Sequence, residues 1–156
     1  MSVKEVVRFV LLFIWQLPQN IVAVVMLPFL GKMSIIKIDN ACVSLVGTRM
    51  SGGITLGSFI FLSKASAQEP YVIEHEYGHV KDSHLFGPLY LLIIGLPSLL
   101  WAASYSCSKK SYEGRTYYDF FTERRANRNA GLAVVRTGKC SYHLTPESDR
   151  QEEKDS

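Results

Sequence analysis

At 156 residues the chain suits one domain with a modest core. A formal net charge of +3 is too small to argue for nucleic acid. Three cysteines, Cys42, Cys107 and Cys140, make neither a disulfide framework nor a CxxC metal site, which points to a reducing compartment.

The apolar residues, 47% of the chain, are concentrated in two blocks without a single charge, Phe9 to Gly31 and Leu85 to Ser104. Lys4 and Arg8 give the first block the start of a signal peptide. It runs too long for one, however, and no small-x-small cleavage pattern follows before Gly31-Lys32, so it reads as retained. Gln16, Pro18, Gln19 and Asn20 split it into halves that each rise about 15 Å, against roughly 30 Å for a bilayer core. A kinked span and a hairpin re-entering one leaflet both fit that pattern.

Residues 33–66 change character. SIIKID, ACVSLV and ITLGSFIFL are rich in β-branched and apolar residues and are separated by Asp39-Asn40 and Ser51-Gly52-Gly53. Short strands and a small antiparallel sheet are predicted, with Gly57 marking a bulge or a close backbone approach.

Pro70 suits a first helical turn, and Val72-Ile73 leads into HEYGH at 75–79, the HExxH pattern of zinc hydrolases. At roughly 100° per residue, His75 and His79 project from one helix face with about 40° between them, so both can grip one ion. Glu76 lies roughly 100° round from His75, placed to act as a general base on a water at the metal without ligating it. The bland alternative is a helix whose histidines only cap or hydrogen-bond. Lys81 stands where such enzymes carry an apolar residue, and must turn outward or let its stem snorkel.

A zinc site needs a third protein ligand. His84 points roughly 180° away from His75. The metzincin pattern would want Gly and His where Asp82 and Leu85 stand. Asp82 shares the ligand face one turn along, where a hydrogen bond to His79 or simple exposure is expected. Glu123 remains, in FTERRANRNAG, a segment that reads as a short helix ending at Gly131; its bland alternative is a solvated residue paired with Arg124, Arg125 or Lys139.

HEYGH followed by Glu123-Arg124-Arg125-Ala126-Asn127 resembles the gluzincin arrangement of zinc-dependent peptidases, thermolysin-like and membrane-bound, over these two motifs only. In that family an Asp four residues after the ligand Glu hydrogen-bonds a ligand histidine. Here Asn127 stands in its place, able to accept from an imidazole N–H but bringing no charge. The resemblance implies Zn2+ held by His75, His79 and Glu123, Glu76 as catalytic base, and a peptide or protein substrate. It also implies that the strand upstream, 54–62, offers a free edge to extended substrate, although a plain core strand fits as well.

A complete crossing by the second block would leave Glu123 some 30 Å from the histidines. Block 85–105 is therefore expected to return as a hairpin broken at Gly95-x-Pro97, and the same logic makes a hairpin of 6–31. The expected fold is α+β, mainly helical, with the small sheet before the HExxH helix and two apolar helical hairpins on the membrane. It forms one domain, 1–145, with a disordered tail over 146–156.

Lys4, Arg8, Lys32, Lys109, Lys110, Arg115, Arg124, Arg125, Arg128, Arg136 and Lys139 then share one side, which the positive-inside tendency makes cytoplasmic. Trp15, Tyr90, Trp101, Tyr105, Tyr112, Tyr117 and Tyr118 are candidates for a belt at the membrane lipid, or for ordinary core. The expected activity is zinc-dependent peptide hydrolysis, with Tyr117, Tyr118, His143 or Arg124 as oxyanion donor. Two rivals are a membrane-anchored scaffold that retains the fold without hydrolysis, and a zinc hydrolase acting on another bond.

Overall fold

In a computed structural model of the chain, residues 2–39, 42–107, 112, 114–137 and 142–150 are described, without the side chains of 37–39 and 42. The architecture is mixed α+β and mainly helical. Lys109, Lys110, Lys139 and Cys140 lie outside the described residues, and Cys107 is a free, exposed thiol.

Ser2 starts α1 (Val3–Trp15) with a reciprocal cap, its hydroxyl accepting from the Glu5 amide and the Glu5 carboxylate accepting from the Ser2 amide. The helix stops at Gln16 and restarts as α2 (Leu17–Met26), with Pro18 in the first turn, where a helix needs no amide donor. An 81° bend separates the two. The expected hairpin over 6–31 is thus an elbow, broken at Gln16 ahead of Pro18-Gln19-Asn20.

The physical reason is docking, because Gln16, Gln19 and Asn20 are almost completely buried. Ser83 Oγ donates to Gln16 Oε1 at 2.7 Å, and Gln19 Nε2 donates to Ser83 Oγ at 3.0 Å and to the Gly87 carbonyl at 2.9 Å. Asn20 Oδ1 accepts the Ser58 amide at 2.9 Å. Polar side chains that interrupt an apolar block here bond Ser83 and the backbone of neighbouring elements.

Four strands form one sheet in the order β1 (Met33–Asp39), β2 (Cys42–Gly47), β4 (Phe59–Ser63), β3 (Gly53–Leu56). ITLGSFIFL, read as one strand, folds back at Gly57-Ser58, and Gly57 adopts φ +62° in this two-residue turn. It is a turn and not a bulge, but the close approach expected there is present. A Cβ on Gly57 would collide with the Asn20 side-chain oxygen. Because β4 inserts between its own hairpin partner and β2, it runs parallel to β2, and the sheet is mixed where an antiparallel one was expected.

Alternation along β3 and β4 divides the core. Leu56 and Phe61 join Leu45 and Ala23 of α2 on one face, while Ile60 and Leu62 meet Val80 on the other. Gly53 and Thr55 share this second face, which belongs to α3 (Val72–Phe86). Pro70 lies ahead of α3, whose entry is Tyr71 at φ 61°, a left-handed conformation rare outside glycine.

A turn at Gly87–Leu89, a π-helical turn at Leu91–Gly95 and α4 (Leu96–Cys107) follow. The 119° reversal falls at Tyr90, between Leu89 and Leu91, and not at Gly95-x-Pro97, where the wide π turn lets the helix run on through Pro97. Among the described residues no single helix is long and apolar enough to cross a membrane. Tyr90, a belt candidate, is instead buried and donates to the Thr55 carbonyl at 3.2 Å.

After α4 comes α5 (Phe121–Ala130), closed as expected by Gly131 in the left-handed region, and then a hairpin of β5 (Leu132–Arg136) and β6 (Tyr142–Pro146) that was not foreseen. The expected tail begins at Pro146. Pro146 pairs with Leu132 and residues 147–150 are helical, while 151–156 lie outside the described residues.

Helices α3 and α5 meet at Gly78, the fourth letter of HEYGH, where an added Cβ would collide with the Ala126 carbonyl. Gly78→Ala must therefore push the helices apart, an overpacking that costs about 2–3 kcal/mol. Denaturant unfolding of the variant measures it, and an unchanged midpoint would mean that the contact yields without strain.

Candidate metal centre

The α3–α5 contact brings together the residues the two motifs singled out. His75 and His79 lie one turn apart on α3, Glu123 sits in the first turn of α5, and all three are buried. Glu123 Oε2 is 3.2 Å from His75 Nε2 and 3.6 Å from His79 Nε2. One ligand atom from each lies within 4.8 Å of the others, a group that could hold a metal ion.

Asn127, one turn beyond Glu123, places Oδ1 2.7 Å from His75 Nδ1. Its amide oxygen thus does what the sequence allowed, fixing the ring so that Nε2 faces Glu123. His79 Nδ1 has no hydrogen-bond partner among the described residues. Asp82, expected near His79 or exposed, is buried and accepts instead from Arg125 Nε at 2.6 Å and Asn129 Nδ2 at 2.8 Å, which clamps α3 to α5. Lys81 turns outward, donating to the Asn129 carbonyl at 2.6 Å. His84 stays apart from the group, its pKa lowered by burial and by the Arg8 charge.

Glu76 is buried against the sheet. Thr55 Oγ1 lies 2.7 Å from its Oε2, and the missing side chain of Gly53 leaves room for Oε1, where a Cβ would collide. Neither residue was picked out from sequence, although their alternation on β3 could have placed both on the face of the HExxH helix.

Glu123 Oε1, the oxygen turned away from the histidines, accepts from Ser98 Oγ at 2.5 Å and from Thr122 Oγ1 at 3.1 Å. No motif marks Ser98, which comes from the second apolar block. Tyr118 packs edge-on against His75 at 5.1 Å, with Tyr142 of β6 behind it at 5.4 Å. Burial and the nearby carboxylates push the Tyr117 pKa above 10.0, and burial, Tyr142 and Glu76 do the same for Tyr118, so both phenols stay protonated. Of the oxyanion candidates these two flank the group, whereas Arg124 and His143 are exposed.

Burial by itself would lower the His75 pKa. The hydrogen bond to Glu123, the charges of Glu76 and Glu123, and Asn127 outweigh it, and the value is raised above 6.5. Burial would raise Glu123, but hydrogen bonds from both imidazoles and their charges hold it well below the usual carboxylate range.

No protein-family model, no curated protein and no solved structure matches the chain. The likeness to gluzincins rests on His75, Glu76, His79 and Glu123 alone.

These shifts set a pH dependence for chelator-treated protein. A raised His75 stabilises the fold fully below 6.5, and that contribution is lost as pH rises through the folded value. A depressed Glu123 stabilises it above 4.5, and that contribution is lost only as pH falls towards the folded value. The thermal midpoint should therefore fall as pH rises above 6.5, and Glu123→Gln should flatten the fall. An equal slope in the variant would detach it from this pair.

Proposed function

We propose that this chain is a membrane-associated zinc peptidase with His75, His79 and Glu123 as ligands and Glu76 as general base. The observation that carries the metal reading is ligand spacing. With zinc bonds of about 2.0–2.1 Å in a tetrahedron, ligand atoms stand about 3.3–3.4 Å apart. The separations of 3.2 and 3.6 Å from Glu123 Oε2 bracket that value. Two imidazoles and one carboxylate, with one position left open, form the donor set of catalytic zinc.

Zinc held there by His75, His79 and Glu123 would supply a water made acidic near neutral pH and a Lewis acid for a carbonyl. Glu76, held by the Thr55 hydroxyl, takes the proton of the attacking water and returns it to the leaving amine. Tyr117 and Tyr118 are the protonated donors available to the oxyanion. A peptide or protein substrate follows from the likeness to gluzincins.

Membrane association is supported by an inverted distribution of side chains. On α1 and α2 the polar Gln16, Gln19 and Asn20 point inward, while Val7, Leu11, Ile14, Leu17, Ile21 and Val25 are exposed. On α4 nothing is buried, and Leu96, Leu99 and Leu100 face outward. Water penalises this arrangement by about 1.5–3 kcal/mol for each large apolar side chain left out, and lipid does not. Arms of 13 and 10 residues meeting at 81° reach about 20 and 15 Å, lengths that suit one leaflet. Lys4, Arg8 and Lys32 beside this surface favour anionic headgroups and a site on the cytoplasmic side.

Glu76→Gln should lower hydrolysis of a labelled peptide by about 10²- to 10⁴-fold while the protein keeps one zinc per chain. Equal loss of metal would remove Glu76 from its role, and wild-type protein without stoichiometric zinc would favour the scaffold. In a second test, purified protein should co-sediment with vesicles containing anionic lipid, and Leu11→Glu with Ile21→Glu should release it. Self-association in place of vesicle binding would assign the apolar surface to a protein contact.

A further inference from the structure

Helix α4 is weakly attached for a wall of a buried site. None of its residues is buried, its outer face carries Leu96, Leu99 and Leu100, and its inner face carries Ser98, Trp101 and Tyr105. Trp101 donates to the Tyr117 carbonyl at 2.8 Å and stacks on Phe120, which leads into α5. Ser98 then reaches the metal group itself.

The two oxygens of Glu123 have separate surroundings. Oε2 faces both histidines, while Oε1 takes two hydroxyl donors, one from Thr122 beside it and one from Ser98 across the helix interface. An oxygen engaged by two donors competes poorly for a cation, so the carboxylate is set to ligate through Oε2 alone.

We infer that Ser98 is a positioning residue for the metal ligand Glu123, enforcing one-oxygen ligation and making a complete metal site conditional on the seating of α4. Thr122 holds Oε1 at 3.1 Å from within the same helix as the carboxylate. Ser98 ties that carboxylate to a second element. The inference rests on the proposed metal site and adds to it a requirement that HExxH and Glu123 do not contain.

The test measures metal affinity in the full-length chain in detergent micelles, by competition with a chromophoric chelator for zinc, alongside the visible spectrum of the cobalt-loaded protein. Ser98→Ala should bind zinc about 10- to 100-fold more weakly and shift the cobalt spectrum towards higher coordination, as the freed Oε1 turns to the metal. Ser98→Thr, which keeps the hydroxyl, should restore both. An alanine variant with wild-type affinity and spectrum would overturn the inference, as would a threonine variant as weak as alanine. If the alanine variant does not fold, Thr122→Val reads the same oxygen from its other donor and should give a smaller shift in the same direction; an unchanged spectrum there counts against it. Wild-type protein that binds no zinc would instead defeat the proposed function, so the two failures are distinguishable.

Discussion

A carboxylate buried as deeply as Glu123 must be compensated where it stands, and much of the structure follows from that demand. Its compensation comes from two imidazoles on α3, a hydroxyl from its own helix and a hydroxyl from α4. To bring them within reach, α3 and α5 must nearly touch, which only a residue without a side chain permits at Gly78. Asp82, Arg125 and Asn129 hold the far end of the same contact. The helix pair is thereby fixed in rotation as well as distance, and His75 can meet both Glu123 and Asn127.

A second layer of constraint fixes Glu76. Its carboxylate lies between α3 and the edge strand β3, against Gly53 and Thr55, and the carbonyl of Thr55 is in turn anchored by Tyr90. Asn20 holds the turn at the end of the same strand. The apolar elbow of α1 and α2 is therefore connected to Glu76 through two hydrogen bonds and the backbone between Ser58 and Thr55, and α4 is connected to the Glu123 carboxylate through one hydrogen bond.

The parts of the site that were legible in sequence are those whose geometry is local. HEYGH places its residues by helical periodicity, Asn127 follows Glu123 by one turn, and Gly131 ends that helix because it tolerates the left-handed region. Glu123 itself was reached by elimination among possible ligands. What escaped depends on tertiary contact. Gln16, Gln19 and Asn20 looked like the break of a membrane hairpin, since no local rule distinguishes a polar residue that interrupts an apolar helix from one that docks it. Gly57 lay within an apolar run that reads as one strand, and only the insertion of β4 beside β2 reveals a mixed sheet. Ser98 carries no pattern at all, and Asp82, placed on the ligand face by periodicity, finds its partners Arg125 and Asn129 far along the chain.

Asn127 also bears on the charge balance of a loaded site. Two neutral imidazoles, the carboxylates of Glu76 and Glu123 and one divalent cation would sum to zero, while Asp82 has its own counter-charge in Arg125. An aspartate at 127 would leave one negative charge over, in a group that is already buried throughout. The amide would give up basicity at His75 and leave a loaded centre electrically neutral. Such a centre would exert little long-range pull on charged molecules, and a ligand would reach it by shape and apolar contact.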